Sequence, residues 1–169
     1  KSDASAVDPK TIVQTPEKDA AAKKLFMQAD LSYDIMMRIK LYDPTTDDLN
    51  RDNVEKKINL MQDEFGKAVK IYNQIINESE SHLWSVSSMA RMGMMMQHFG
   101  EEYANIKPPK GLSKEETAAY QSKMQSISEK FMENALNLYM GVHYASADLK
   151  VNNDIIADAE KRLAALQKK

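Results

Sequence analysis

Apolar residues recur along the chain at alternating spacings of four and three, the period of a helix that buries one face. The longest stripe of this kind predicts a helix over residues 48–77. Its apolar positions are Val54, Ile58, Met61, Phe65, Ala68, Tyr72 and Ile75. No run of Val, Ile and Thr alternates with a period of two, so no strand is expected. The pattern therefore predicts an all-α fold.

Four further segments show the same period, and local signals mark where they begin and end. Thr15 before Pro16 is a typical helix start, and Ser113 with Glu116 has the spacing of a capping box. Pro44 ends the first helix, because proline cannot continue the hydrogen-bond ladder. The four helices are expected at about 16–41, 82–105, 113–146 and 154–167.

Short connections join these helices, so neighbours in sequence are expected to be antiparallel. The first and second helices would form one hairpin and the third and fourth a second. The fifth would cap the stack or lead into a further repeat. Residues 1–15 are small, polar and aperiodic, and we expect them to form a flexible arm. Residues 16–169 would then form one domain of about five helices.

One local pattern occurs in the second helix of both hairpins. A small residue is followed one turn later by Tyr and then by an aliphatic residue, so that two backbones can approach and the ring fills the adjacent groove. The two instances are Ala68, Tyr72 and Ile75, and Ala135, Tyr139 and Val142. Repetition of a helix-pair pattern indicates a repeat scaffold, and such scaffolds usually hold partners.

These residues resemble the tetratricopeptide repeat. The pairs Ala68/Tyr72 and Ala135/Tyr139 are similar to its second-helix signature, and Met92-Gly93 is similar to its first-helix signature. The resemblance implies antiparallel hairpins stacked as an elongated, right-handed solenoid. Two features depart from the family pattern. Aliphatic residues stand where a small residue is usual, and an insertion containing PPKGL separates the helices of the second pair.

The order of residues over roughly 60–166 is also similar to one group of such proteins. These are the tetratricopeptide proteins of deltaproteobacterial and predatory-bacterial envelopes, some of them linked to gliding motility. The residues that carry the likeness include Trp84, the run from Met89 to Gly93, Phe99, the run from Pro108 to Leu112, and Tyr139. The resemblance implies a periplasmic or envelope-associated adaptor, with the cytoplasm as the alternative location.

Composition and charge exclude several classes of partner. The formal net charge is −2, so neither nucleic acid nor an anionic membrane is favoured electrostatically. There is no apolar run near 18 residues, so no membrane span is expected. The absence of cysteine excludes disulfides and thiolate catalysis. The chain begins with Lys1, and we therefore expect it to start inside a longer gene product.

The residue types that could support chemistry favour packing over a reaction. Thioethers can bind Cu(I), but most of the methionines at 89–96 share the apolar arc of the third helix, where Met usually fills gaps. The three histidines form no metal-binding motif. A helix start explains the cluster of acids at Asp43, Asp47, Asp48 and Asp52 better than a calcium loop does. We therefore expect no catalytic residue, no metal and no cofactor.

The leading hypothesis is a non-catalytic scaffold that binds a protein or peptide partner. The alternative is a structural module that self-associates or braces a larger repeat protein. A partner-binding strip is predicted on the polar side of the third helix, because Trp and Arg together are typical interface residues. It consists of Trp84, Arg91, Met94, His98 and Glu102. The opposing interpretation is that Trp84 packs beneath the 77–81 turn or against the N-terminal arm.

Overall fold

A computed structural model describes residues 12–42 and 51–168 of the chain. These residues form five α-helices and no strand, so the predicted all-α class is confirmed. The right-handed solenoid stays a prediction. The helices are α1 (Pro16–Arg38), α2 (Arg51–Glu78), α3 (His82–Asn105), α4 (Lys114–Leu149) and α5 (Asp154–Leu166).

The helices pack as two hairpins and a final single helix. Helix α1 packs on α2, α3 packs on α4, and α3 also contacts α1, α2 and α5. Helix α3 is therefore the centre of the molecule. The core runs along it and includes the stacked rings of Phe99 and Phe131, whose centroids lie 4.7 Å apart. The Ala-Tyr pattern is buried in both hairpins, at Ala68 with Tyr72 and at Ala135 with Tyr139.

The local start signals act as predicted. Thr15 accepts a hydrogen bond from the Lys18 amide at the start of α1, with Pro16 in the first turn. Ser113 and Glu116 form both hydrogen bonds of the capping box at the start of α4. Because these caps satisfy amides that lack partners within the helix, the sequence alone defines where both helices begin.

Helix α1 ends at Arg38, about three residues before the predicted end. Ile39 has extended backbone angles, with φ −75° and ψ 125°. Beyond it, the amide of Leu41 donates to the Glu102 carboxylate of α3 at 2.8 Å. A tertiary contact therefore ends the helix before Pro44 could.

The two hairpin helices α3 and α4 come close at two glycines. A Cβ placed on Gly93 would lie 2.7 Å from Cε1 of Tyr139, and one on Gly100 would lie 2.6 Å from the sulfur of Met132. Ser128 fixes the same crossing by donating to the Gly100 carbonyl at 2.7 Å. The α3 backbone is therefore packed directly against side chains of α4, and a Cβ at either glycine would force a neighbour to move.

Part of the predicted N-terminal arm is tied to the helices. The Gln14 side chain donates to the Glu80 carbonyl at 3.0 Å and accepts from the His82 amide at 2.8 Å. Residues 12–15 thus cross the α2–α3 turn. The rest of the predicted arm, residues 1–11, lies outside the described residues, as do residues 43–50, which hold most of the acidic cluster.

Substituting alanine at two mid-helix glycines provides a matched test of the α3–α4 crossing. Gly66→Ala should stabilise the protein by up to about 1 kcal/mol, because alanine favours the helix and the new methyl group meets no atom within 4 Å. Gly93→Ala has the same helix preference but collides with the buried ring of Tyr139. We expect it to cost about 1–3 kcal/mol of unfolding free energy in urea titrations. Equal stability of the two variants would show that the crossing is not tight.

Candidate partner-binding surfaces

The predicted strip on α3 lies against the first hairpin and is not a free surface. Met94 is only 1% exposed, and His98 and Glu102 are each 4% exposed. The expectation that this side of α3 faces solvent is therefore wrong for these three residues. The physical reason is that α3 packs on α1 as well as on α4, so its polar side is covered by α1 and by residues 39–41 just beyond it.

Arg91 is the central polar contact between α3 and α1. Its guanidinium carbon lies 4.2 Å from the centroid of the Tyr33 ring, and its Nη2 donates to Asp30 at 3.0 Å. The Tyr72 hydroxyl of α2 donates to the same carboxylate at 2.5 Å. One carboxylate thus joins three helices, and the arginine face stacks on an aromatic ring as guanidinium groups favour.

Met94 belongs to the same network. Its sulfur accepts from the Tyr33 hydroxyl at 3.5 Å and lies 3.7 Å from Nη1 of Arg91. The thioether therefore fills the gap between an aromatic ring and a guanidinium, a usual role for buried Met. Within the described ranges, no three residues among His, Cys, Asp and Glu cluster so as to hold a metal ion.

His98 and Glu102 hold the C-terminal end of α1. The carboxylate of Glu102 accepts from the Leu41 amide and from Nζ of Lys40, the latter at 3.0 Å. Nε2 of His98 lies 3.0 Å from the Ile39 carbonyl oxygen. Burial lowers the pKa of the His98 imidazole, although the charge of Glu102 acts in the opposite direction. The imidazole is therefore neutral near pH 7 and donates from Nε2 to the carbonyl.

Trp84 also contacts α1. Its ring is half-buried and packs on Phe26 with centroids 4.9 Å apart, while Nζ of Lys23 lies 6.0 Å from the indole centroid. Neither sequence interpretation named this neighbour. All five residues of the predicted strip are therefore brought to the inner side of α3, where they connect the two hairpins.

A surface that the sequence reading missed is the outer face of α1, which we define by Met27, Leu31 and Ile35. These side chains are 61%, 67% and 48% exposed. On a helical wheel they lie opposite the buried residues of α1, such as Phe26 and Tyr33. The sequence signal was present, because the three apolar residues are spaced at i, i+4 and i+8. The buried residues of the same helix have an equally regular spacing, so the sequence pattern did not distinguish the two faces.

A second missed surface is an apolar groove of about 440 Å³ at one end of the helical stack. It lies between the start of α2, the end of α3, the 106–113 loop and the start of α4. Its lining residues are Leu41, Val54, Glu55, Ile58, Tyr103, Ile106, Lys107, Pro109, Leu112, Tyr120, Lys123, Met124 and Ile127. The sequence predicted the loop. It did not predict the groove, because the loop and α2 are far apart in the chain.

The charges of this end groove lie around apolar walls. Among the lining residues that the structure describes, Lys107 and Lys123 provide two positive side chains and Glu55 one carboxylate. Nζ of Lys107 lies 5.7 Å from the ring centroid of Tyr42. Burial raises the pKa of the Tyr103 phenol, and its interaction with Tyr120 adds to the effect. The groove therefore offers apolar contacts together with a modest positive charge.

Comparisons with protein-family models, with curated proteins and with solved structures found no match for this chain. As for membranes, none of the helices in the described ranges combines the length and apolar character that crossing a bilayer requires.

The burial of neutral His98 predicts a loss of stability in mild acid. The folded state resists protonation, whereas the imidazole of the unfolded chain titrates near its ordinary pKa of 6.5. Its stabilising effect is therefore complete above that pH and is lost as the pH falls toward the lowered folded pKa. Urea titrations at a series of pH values should show a smaller decline of unfolding free energy in His98→Gln than in the wild type.

A matched control for this experiment is His143→Gln, because His143 is exposed and pairs with Glu160. That variant should keep the component of the acid response that belongs to His98. The buried Glu64 carboxylate does not confuse the comparison, since its pKa is lowered from 4.5 chiefly by its hydrogen bond with Lys67 and it therefore acts at lower pH. An unchanged decline in His98→Gln would contradict the assignment.

Proposed function

We propose that this protein is a non-catalytic scaffold that binds a protein or peptide partner in the end groove. The observation that carries the proposal is the groove itself, whose apolar walls come from α2, α3 and α4 together with the connecting loop. Concave sites with apolar walls and a few polar groups are typical of binding sites. The tetratricopeptide-like pattern supports the same class of function.

The chemistry of the groove indicates the kind of segment that would bind. Its walls suit two or three apolar side chains on one face of a short helix or extended peptide. The two lysines outnumber the single glutamate, so a segment that also carries acidic side chains would be favoured. We therefore expect an amphipathic, acidic peptide segment of the partner.

The interior polar groups support binding over catalysis. Arg91 pairs with Asp30, His98 bonds the Ile39 carbonyl, and Glu102 bonds the Leu41 amide. Each of these groups is thus engaged in connecting helices, and none faces the end groove. A role without catalysis is therefore the simpler proposal for these side chains.

The alternative function is a structural module that self-associates or braces a larger assembly. The specific observation in its favour is the exposed apolar face of α1 at Met27, Leu31 and Ile35. Exposed apolar patches on a folded protein often mark protein–protein contacts. The two functions use different surfaces and are compatible with each other.

The groove can be tested with a displayed library of random peptides. Panning against the immobilised protein should enrich peptides with apolar residues three or four apart and with neighbouring acids. Met124→Glu places a negative charge in the apolar wall, and it should weaken binding of a selected peptide at least about tenfold, which corresponds to about 1.4 kcal/mol. Fluorescence anisotropy with the labelled peptide provides the measurement.

The matched control is Tyr144→Ser, because Tyr144 is 71% exposed and lies toward the other end of α4, outside the lining of the groove. It should leave peptide affinity unchanged, and circular dichroism should show equal helix content in both variants. Peptides that bind Met124→Glu as tightly as the wild type would reject the end groove as their site.

The cellular compartment is a separate proposal that rests on the resemblance to envelope proteins. Fractionation of the source cells with an antibody against this protein should recover it with periplasmic or envelope markers. Recovery with cytosolic markers alone would reject the envelope location and leave the binding proposal in place.

A further inference from the structure

The outer face of α1 has the form of a helix that docks on another hairpin. Helix α3 contacts the first hairpin through Trp84, Arg91 and Phe99, which meet Phe26, Asp30 and Phe65. Both α1 and α3 are the first helices of their hairpins, and each buries a small residue in its core face, Ala29 and Gly93.

Aligning those two small residues relates the outer face of α1 to the docking face of α3. Ala20 takes the position of Trp84, Met27 that of Arg91, and Ile35 that of Phe99. Leu31 falls between the last two. The three positions that dock α3 onto a hairpin are therefore all apolar on α1, where they are exposed.

The charges that flank this face indicate what covers it. Exposed charged residues lie along α1 in the order Glu17, Lys23, Lys24, Asp34 and Arg38. The two lysines and Asp34 thus lie on either side of Met27 and Leu31. An antiparallel pair of α1 helices centred between Met27 and Leu31 would place Lys24 of one copy opposite Asp34 of the other. Parallel pairing would instead oppose like charges.

We infer that two copies of this chain pair through the outer faces of α1, antiparallel about a twofold axis. Each copy contributes Met27 and Leu31 to the centre, the Lys24–Asp34 pair forms twice, and Ile35 lies just outside that pair. Such an interface closes on itself, as is usual for dimers. The inference deepens the self-association function proposed above and does not depend on the end groove.

Helix α5 favours a closed pair of copies over an open chain of copies. Helix α5 packs on both α3 and α4 and buries Ile156, Ala159 and Leu163 against them. Its exposed positions, including Asp154 and Lys161, are largely polar or small. The outer side of α5 therefore offers little apolar surface on which the α1 face of another copy could dock head to tail.

Analytical ultracentrifugation of the full chain tests this pairing. The wild type should change from monomer to dimer with rising concentration, with a dissociation constant on the order of micromolar, as suits an interface at the small end of the specific range. Leu31→Asp should raise that constant at least tenfold and keep the circular dichroism of the wild type, since Leu31 contributes little to the core. Tyr144→Ser is the matched control and should dimerise normally.

Charge exchange tests the antiparallel arrangement. Lys24→Asp and Asp34→Lys should each weaken dimerisation, because each places two like charges opposite one another. The variant with both changes should restore it, since the pairs form again with reversed sign. Sensitivity to Leu31→Asp together with this restoration would support the inference.

Three results would overturn the inference. They are a wild type that stays monomeric at high concentration, a dimer that survives Leu31→Asp, and a double-charge variant that stays as weak as the single ones. If the monomer instead binds a different protein in a Leu31-dependent way, the face belongs to that partner. Peptide binding in the end groove is measured separately with Met124→Glu. A failure of the dimer proposal can therefore be distinguished from a failure of the groove proposal.

Discussion

The fold depends on how α3 is held between two hairpins. On one side, its glycines bring the backbone against α4, so that Tyr139 packs where any larger residue than Gly93 would collide. On the other side, the Arg91–Asp30–Tyr72 group joins it to α1 and α2. Apolar packing is tolerant of small shifts, whereas a bonded guanidinium and a shared carboxylate are directional. The polar group therefore specifies the register in which the hairpins stack, while the buried apolar side chains supply the hydrophobic stabilisation.

Much of this architecture could be predicted from the chain. The period of apolar residues located five helices, and α3 occupies the predicted span from His82 to Asn105. Local signals succeeded at Thr15 and at the Ser113–Glu116 capping box, because capping involves residues that are close in sequence. The end of α1 was misplaced, because the group that decides it, Glu102, is far away in the chain. The handedness of the stack stays a prediction.

The candidate surfaces were harder to predict, and the reason is physical. The polar side of α3 has the composition of an exposed face, but a helix contacting four others has little free surface. The sequence therefore predicted a partner-binding role for Arg91, His98 and Glu102. In the structure, their partners are in α1 and just beyond its end. Conversely, Met27, Leu31 and Ile35 resemble core residues in sequence and are exposed. The polarity of a residue shows which interactions it can make. Only the packing of the other helices determines which surface stays exposed.

The contact of Glu102 with the end of α1 has a consequence for how the protein folds. Repeat proteins often gain stability nearly independently from each unit and each neighbouring interface. Here, a side chain of the second hairpin defines where the first helix of the first hairpin stops, through the Leu41 amide and Lys40. This contact therefore makes the end of α1 depend on the presence of the second hairpin. A fragment containing only α1 and α2 would lack the Glu102 contact beyond Arg38, and during synthesis that contact could not form until α3 emerged.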